Sequence, residues 1–222
     1  FQLTEAVTGS ATLFKSGDGI LRFDGHNDGF TGDVVLNRGE IRGVGNTDNH
    51  FFGTGDYLLN FGTLRVSTNI ARSYFNNPGQ DITVAGAVTL VNDRNGGTAA
   101  RSLTFGVSGV NTIRTVNGAH WRMASDSGDS VFLESKVEVN DSALFFTDNA
   151  PTWLRDELRG GGRLVKAGIS QLLFDYNAAN DDWNGVLDIQ AGIAQAMPWY
   201  HHAFKASFFG HEAPVSAPLH AS

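Results

Sequence analysis

The chain has 222 residues, of which 27 are Gly and none is Cys, and its formal net charge is −7. This length suits one domain or one long single-core architecture, and a hydrophobic fraction of 41% is too high for a disordered acidic chain. The absence of Cys excludes disulfide frameworks and thiolate zinc sites. The lack of a basic cluster argues against nucleic acid as a partner. The sequence predicts no transmembrane segment, because it has no apolar run of about eighteen residues.

In chain order, the dominant pattern is a series of short runs in which apolar residues alternate with polar ones. Each run has about four to six residues and is bounded by Gly, Asn, Asp or Ser, which is typical of strands and their turns. The runs lie at Leu13–Lys15, Ile20–Phe23, Val34–Leu36, Leu64–Val66, Asp81–Val84, Ala87–Leu90, Ser102–Phe105, Val131–Leu133, Val137–Val139, Ala143–Phe146 and Val186–Ile189. We therefore predict an all-β fold.

Two segments favour a short helix instead. The first is Pro151–Arg159, which begins with a Pro suited to a first helical turn and ends at the glycines of 160–162. The second runs from Pro198 to Phe209 and is followed by Gly210. The sequence thus predicts a short helical insertion within the β structure.

A long-range internal repeat is the most informative feature of the sequence. One unit lies near residues 9–42 and the other near 160–194, and each reads as strand, Gly turn, strand, polar loop and strand. The shared positions are Leu13, Lys15, Gly17, Leu21 and Phe23 in the first unit, and Leu164, Lys166, Gly168, Leu172 and Phe174 in the second.

Neither repeat unit can bury its apolar face alone, so the units must stack on neighbouring coils. Stacked coils give each strand a parallel neighbour about 4.8 Å away, which is the architecture of a parallel β-solenoid. At about twenty residues per coil the chain would form roughly ten coils and a rod about 50 Å long. A β-sandwich is the alternative, but it does not require such a unit to recur.

The two units resemble the autotransporter-associated β-strand repeat, also called the passenger-associated transport repeat. The matching residues include the Leu, Lys and Gly of Leu13–Gly17 and of Leu164–Gly168. In the second unit, Ser170 and Trp183 depart from the pattern. The resemblance implies a right-handed parallel β-helix in a secreted or surface-anchored bacterial protein, with structural or adhesive roles and no catalytic residues.

Acidic and histidine clusters provide the candidates for chemistry. Asp181 and Asp182 in the second unit, and Asp24, Asp28 and Asp33 in the first, are consistent with polar turns, with a calcium site or with an acid–base pair acting on a polysaccharide. We favour polar turns and predict no cofactor, with calcium as the only ion considered for these loops. The histidines at 201, 202, 211 and 220 favour a solvent-facing tail over a metal site.

We predict that residues 1–196 form the solenoid and that the segment 197–222 is a separate cap or docking element followed by a tail. Its aromatic residues could cover the open end of the solenoid or bind another subunit. The interface candidates are Trp199, Tyr200, Phe204, Phe208 and Phe209. Self-association and surface glycans are the partners that we expect.

The functional expectation is a structural or adhesive module at the bacterial cell surface or outside the cell, self-associating through the solenoid ends into fibres or a layer. Because the chain starts at Phe1 rather than Met, we expect either a removed targeting segment or a fragment. The alternative is a β-helical polysaccharide-processing enzyme or carbohydrate-binding spike. The enzyme requires two or more carboxylates converging in a groove, and we predict that the chain is not an enzyme.

Overall fold

The structure is a computed structural model that describes residues 1–24, 26–45, 51–68, 72–74, 79–94, 102–106, 110–175 and 182–196. These residues contain strands, turns and loops but no helix. Accordingly, no helix long and apolar enough to cross a membrane is found in this part of the chain. The predicted cap or docking segment 197–222 lies outside the described residues. This includes the predicted second helix Pro198–Phe209, the five aromatic interface candidates and the histidines at 201, 202, 211 and 220.

The strands are short, as the alternating runs predict, and the described residues form 22 of them. In chain order they are β1 (Gln2–Leu3), β2 (Leu13–Lys15), β3 (Ile20–Asp24), β4 (Val34–Leu36), β5 (Glu40–Gly45), β6 (Tyr57–Leu59), β7 (Gly62–Thr68), β8 (Arg72–Tyr74), β9 (Ile82–Val84), β10 (Ala87–Arg94), β11 (Ser102–Phe105), β12 (Thr112–Thr115), β13 (His120–Ser125), β14 (Ser130–Leu133), β15 (Lys136–Val139), β16 (Ser142–Thr147), β17 (Thr152–Leu154), β18 (Leu158–Arg159), β19 (Arg163–Ala167), β20 (Gln171–Phe174), β21 (Val186–Ile189) and β22 (Ile193–Ala196).

Three parallel sheets form the faces of a β-solenoid. The nine-stranded sheet contains β1, β3, β5, β7, β10, β13, β16, β19 and β21 in that order, the seven-stranded sheet contains β2, β4, β6, β9, β12, β15 and β18, and the six-stranded sheet contains β8, β11, β14, β17, β20 and β22. Every strand pairing is parallel. The predicted all-β parallel solenoid is therefore confirmed, and the β-sandwich is excluded.

The core lies between the three sheets and consists of ladders of apolar side chains. Alternate residues of each strand point inwards, so residues at the same register position stack from coil to coil. One such ladder on the nine-stranded sheet is Leu21, Ile41, Leu64, Leu90 and Met123, and one on the seven-stranded sheet is Val34, Tyr57, Ile82, Ile113, Val137 and Leu158. All of these side chains are buried.

The coils differ in length, which the sequence did not indicate. Register partners in adjacent coils are 20 positions apart in the chain for Gln2 and Arg22, but 33 positions apart for Val91 and Ala124. Because most coils exceed twenty residues, the expectation of ten coils is too high. Nine strands span about 38 Å at the usual strand spacing, shorter than the expected rod.

The predicted helix at Pro151–Arg159 is wrong. This segment forms β17 and β18 with a corner between them, and Leu154 and Leu158 are buried on two different sheets. The strand β17 has a parallel neighbour on each side, β14 and β20. These neighbours satisfy its backbone groups across the sheet, and this tertiary pairing overrides a weak local helix signal.

Candidate functional site

The two lysines of the repeat lie inside corners of the solenoid. Lys15 is 8% exposed and Lys166 is fully buried. The Lys15 Nζ donates hydrogen bonds to the carbonyl oxygens of Gly17 at 2.6 Å and Arg38 at 2.9 Å. Since Arg38 belongs to the following coil, this lysine joins two successive corners.

Lys166 repeats this arrangement. Its Nζ donates to the carbonyl oxygens of Ala167, Gly168 and Ala191, each at 2.9 Å. Because buried carbonyl groups need donors, each lysine satisfies carbonyls that the tight corner turns away from the sheets. Burial lowers the pKa of Lys166 to about 8.

The remaining repeat positions also behave as a corner unit. Leu21, Phe23, Leu164, Leu172 and Phe174 are buried, and Leu13 packs against the core from a partly buried position. The turn glycines of the two units, Gly17 and Gly168, have φ values of 83° and 81°, a region that favours glycine. The predicted sequence of strand, Gly turn and strand is confirmed for both units.

The two repeat units nevertheless occupy different corners of the solenoid. The first runs from β2 on the seven-stranded sheet to β3 on the nine-stranded sheet, whereas the second runs from β19 on the nine-stranded sheet to β20 on the six-stranded sheet. The repeated sequence therefore encodes a lysine-filled corner that can connect more than one pair of faces. It is a structural site, and its side chains are turned away from solvent.

Two of the acidic residues singled out in the loops bind groups outside that set. Asp24 is bound by Arg22 at 2.6 Å, and Asp33 accepts the backbone N–H of Asp56 at 3.0 Å. Asp182 is exposed, and Asp181 lies outside the described residues. In the part of the chain that the structure describes, no group of three or more His, Cys, Asp or Glu side chains is placed to hold a metal ion.

A different polar surface is the candidate binding site. It is a depression of about 350 Å³ on the outer face of the nine-stranded sheet, and we call it the Arg–Asp trough. Its lining includes Thr63, Arg65, Thr89, Arg122, Asp126 and Asp148. These residues come from four successive coils, so the stacking of the solenoid creates the site.

Ion pairs hold the charged side chains of the trough in place. The Arg65 Nη1 lies 2.7 Å from Asp126 and 3.5 Å from Asp93, and its Nε lies 3.4 Å from Glu40. Arg122 pairs with Asp148 through its Nη2. The two arginines project from strands and the two aspartates follow directly after β13 and β16, so donors and acceptors stand at defined positions.

Asp93 and Asp126 both lie beside Arg65, and the pKa values of their carboxyl groups shift in opposite directions. Burial and the hydrogen bond with Asp93 raise the pKa of Asp126, against the attraction of Arg65. Burial also acts to raise the pKa of Asp93, but hydrogen bonds from Ser67 and Asp126 and the charge of Arg65 outweigh it and lower that pKa.

Sequence reasoning missed this site because its residues are far apart in the chain. Arg65 and Asp126 are 61 positions apart, and coil lengths of 26 residues (Arg65 to Val91) and 33 residues (Val91 to Ala124) separate their strands. No local motif marks them.

Comparisons with known proteins give no relative for this chain. No protein-family model matches it, and no curated protein or solved structure matches it at a significant level.

Proposed function

We propose that this chain is a structural and adhesive module of a secreted or surface-anchored bacterial protein. In this proposal, copies associate through the ends of the solenoid into fibres or an extracellular layer. The proposal assigns the chain no catalytic activity. The resemblance of residues 9–42 and 160–194 to the autotransporter-associated repeat supports a cell-surface or extracellular location.

The observation that carries the proposal is the common direction of the strands in the nine-stranded sheet and its two open edges among the described strands. Its two outermost described strands are β1 and β21, and each pairs with a strand on one edge only within the described residues. Because every pairing in the sheet is parallel, β1 of one copy can add to β21 of another with the same strand direction. Such a head-to-tail contact repeats without closing and produces a filament.

The location of the repeat lysines also supports a structural role. The most distinctive residues of the sequence, Lys15 and Lys166, bind corner carbonyls rather than facing solvent. The repeated pattern therefore serves the stacking of coils. A stalk or layer protein depends on that stacking along its whole length.

Electron microscopy of matched variants tests the proposed self-association. Val186 and Ile193 lie on the last described strands, β21 and β22, and are exposed. A charged side chain at a sheet edge opposes the addition of another strand, so we expect Val186→Lys together with Ile193→Lys to abolish filaments.

The matched control is Val110→Lys, because Val110 is 50% exposed and lies in a turn before β12, a central strand of the seven-stranded sheet. This variant should form filaments as the unaltered chain does. Filaments of equal number and length from the doubly substituted chain would contradict association through the described strand ends.

A further inference from the structure

The shape of the Arg–Asp trough follows from the sizes of the outward side chains on three successive strands. Arg122 on β13 is in register with Thr89 on β10, whereas Arg65 on β7 is in register with the buried Val91, two residues further along β10. The strands β7 and β13 are two spacings apart, or about 10 Å, and the Arg65 guanidinium reaches across β10 to Asp126. The result is a short channel over Thr89, bounded by Arg122 and by the Arg65–Asp126 ion pair.

The trough combines opposite charges at short range. Arg65 and Arg122 supply guanidinium donors, whereas Asp126 and Asp148 supply carboxylate acceptors. A bound cation would face two arginines and a bound anion would face the carboxylates, so neither kind of ion is favoured. Hydroxyl groups both donate and accept hydrogen bonds, and a ligand rich in hydroxyls matches this mixed surface.

An exposed aromatic ring stands next to the trough. Phe146 on β16 is the register partner of Arg122 on β13, and its side chain is 37% exposed. The C–H face of a sugar ring is apolar, and it can pack on an aromatic side chain while its hydroxyl groups bind polar neighbours. The trough and Phe146 therefore offer both kinds of contact that a sugar chain needs.

We propose that the Arg–Asp trough binds an uncharged glycan chain, with one sugar between Arg65 and Arg122 and the next against Phe146. This inference rests on the proposed adhesive function, because it names the ligand through which the module would adhere. The net charge of −7 and the trough carboxylates oppose acidic polysaccharides. The ligand class is thus a neutral polysaccharide or the neutral part of a surface glycan.

Titration calorimetry with defined probes tests this assignment. The probes are neutral hexasaccharides of β-linked glucose, β-linked N-acetylglucosamine and α-linked mannose, with polygalacturonate as the acidic probe. We expect at least one neutral probe to bind and polygalacturonate not to bind. Failure of all three neutral probes, or preferential binding of polygalacturonate, would overturn the proposal.

A pair of Thr→Phe variants locates the binding site. Thr89→Phe fills the channel with an outward-facing ring, and we expect it to weaken binding of the neutral probe by about tenfold or more. Thr83→Phe makes the same change on β9, on the outer face of the seven-stranded sheet, and should leave binding unchanged. Equal affinities in the two variants would place the glycan elsewhere.

Two further measurements separate this inference from its alternatives. The probe should be recovered intact after incubation, and new reducing ends that disappear in Asp126→Asn would make the trough a hydrolytic site instead. Filament formation should be the same in Thr89→Phe as in the unaltered chain. Glycan binding without filaments would reject the self-association while leaving the trough assignment in place.

Discussion

At the scale of single residues, the corner lysines show how a charged side chain can serve as a structural element. The Lys166 Nζ satisfies three carbonyl groups from two coils. Its ammonium group is removed from water, which lowers its pKa. The carbonyl cage compensates for this desolvation by supplying acceptors for the amine protons.

Replacing the corner lysine should destabilise the fold. Lys166→Met keeps most of the side-chain volume but leaves buried carbonyl groups without a donor, so we expect the free energy of unfolding to fall by about 2 kcal/mol or more. Urea denaturation followed by circular dichroism measures this change. Lys136→Met, on an outward-facing and partly exposed position of β15, should change it by less than about 0.5 kcal/mol.

The same pair of chains should reveal the acidity of Lys166. Its pKa in the fold is about 8 against an ordinary value of 10.5, so between these pH values the unfolded chain binds more protons than the folded one. Stability from this group therefore rises with pH. The stability gap between the unaltered chain and Lys166→Met should widen from pH 7 to pH 10, by at most about 3 kcal/mol. A gap that narrows would contradict the lowered pKa.

At the scale of elements, the sequence predicts strands and corners well but does not predict their assignment to faces. Alternation of apolar residues is a local property of each strand, and it identified segments such as Val34–Leu36 and Val137–Val139. The choice between helix and strand at Pro151–Arg159 depended on neighbours in adjacent coils, which local patterns do not contain. The ion pair between Arg65 and Asp126 was hidden for the same reason, because unequal coil lengths set its register.

The corner glycines provide a graded test of the corner geometry. A Cβ on Gly19 would meet nothing within 4 Å, and one on Gly17 would also be unobstructed although φ there is 83°. A Cβ on Gly39, with φ of 86°, would lie 2.3 Å from the Gly17 carbonyl oxygen and 2.5 Å from the Lys15 Nζ. The three positions thus separate backbone strain from steric collision.

We expect the three Gly→Ala variants to rank in that order. Gly19→Ala should be near neutral, Gly17→Ala should cost about 1 kcal/mol from the positive φ, and Gly39→Ala should cost more than about 3 kcal/mol because strain and overpacking add. Thermal unfolding of the three chains measures the ranking. A Gly39→Ala chain as stable as Gly17→Ala would mean that the two corners are not in contact.

At the scale of the whole molecule, stability in a solenoid depends on contacts between neighbouring coils. A central strand such as β10 is paired on both edges, with β7 and β13. The end strands β1 and β21 are paired on one edge only among the described residues. Opening an end strand therefore breaks one interface, whereas opening a central strand breaks two.

Hydrogen exchange should report this difference and connect it with assembly. In the unassembled chain, we expect amides of β1 and β21 to exchange faster than those of β10 and β13, because local opening costs less free energy at the ends. In filaments, the end strands gain partners through β1-to-β21 addition, so their exchange should slow while that of β10 stays unchanged. Mass spectrometry of peptides from both samples measures these rates. Slowing confined to β10 and β13 would instead place the contact between copies on the sides of the solenoid.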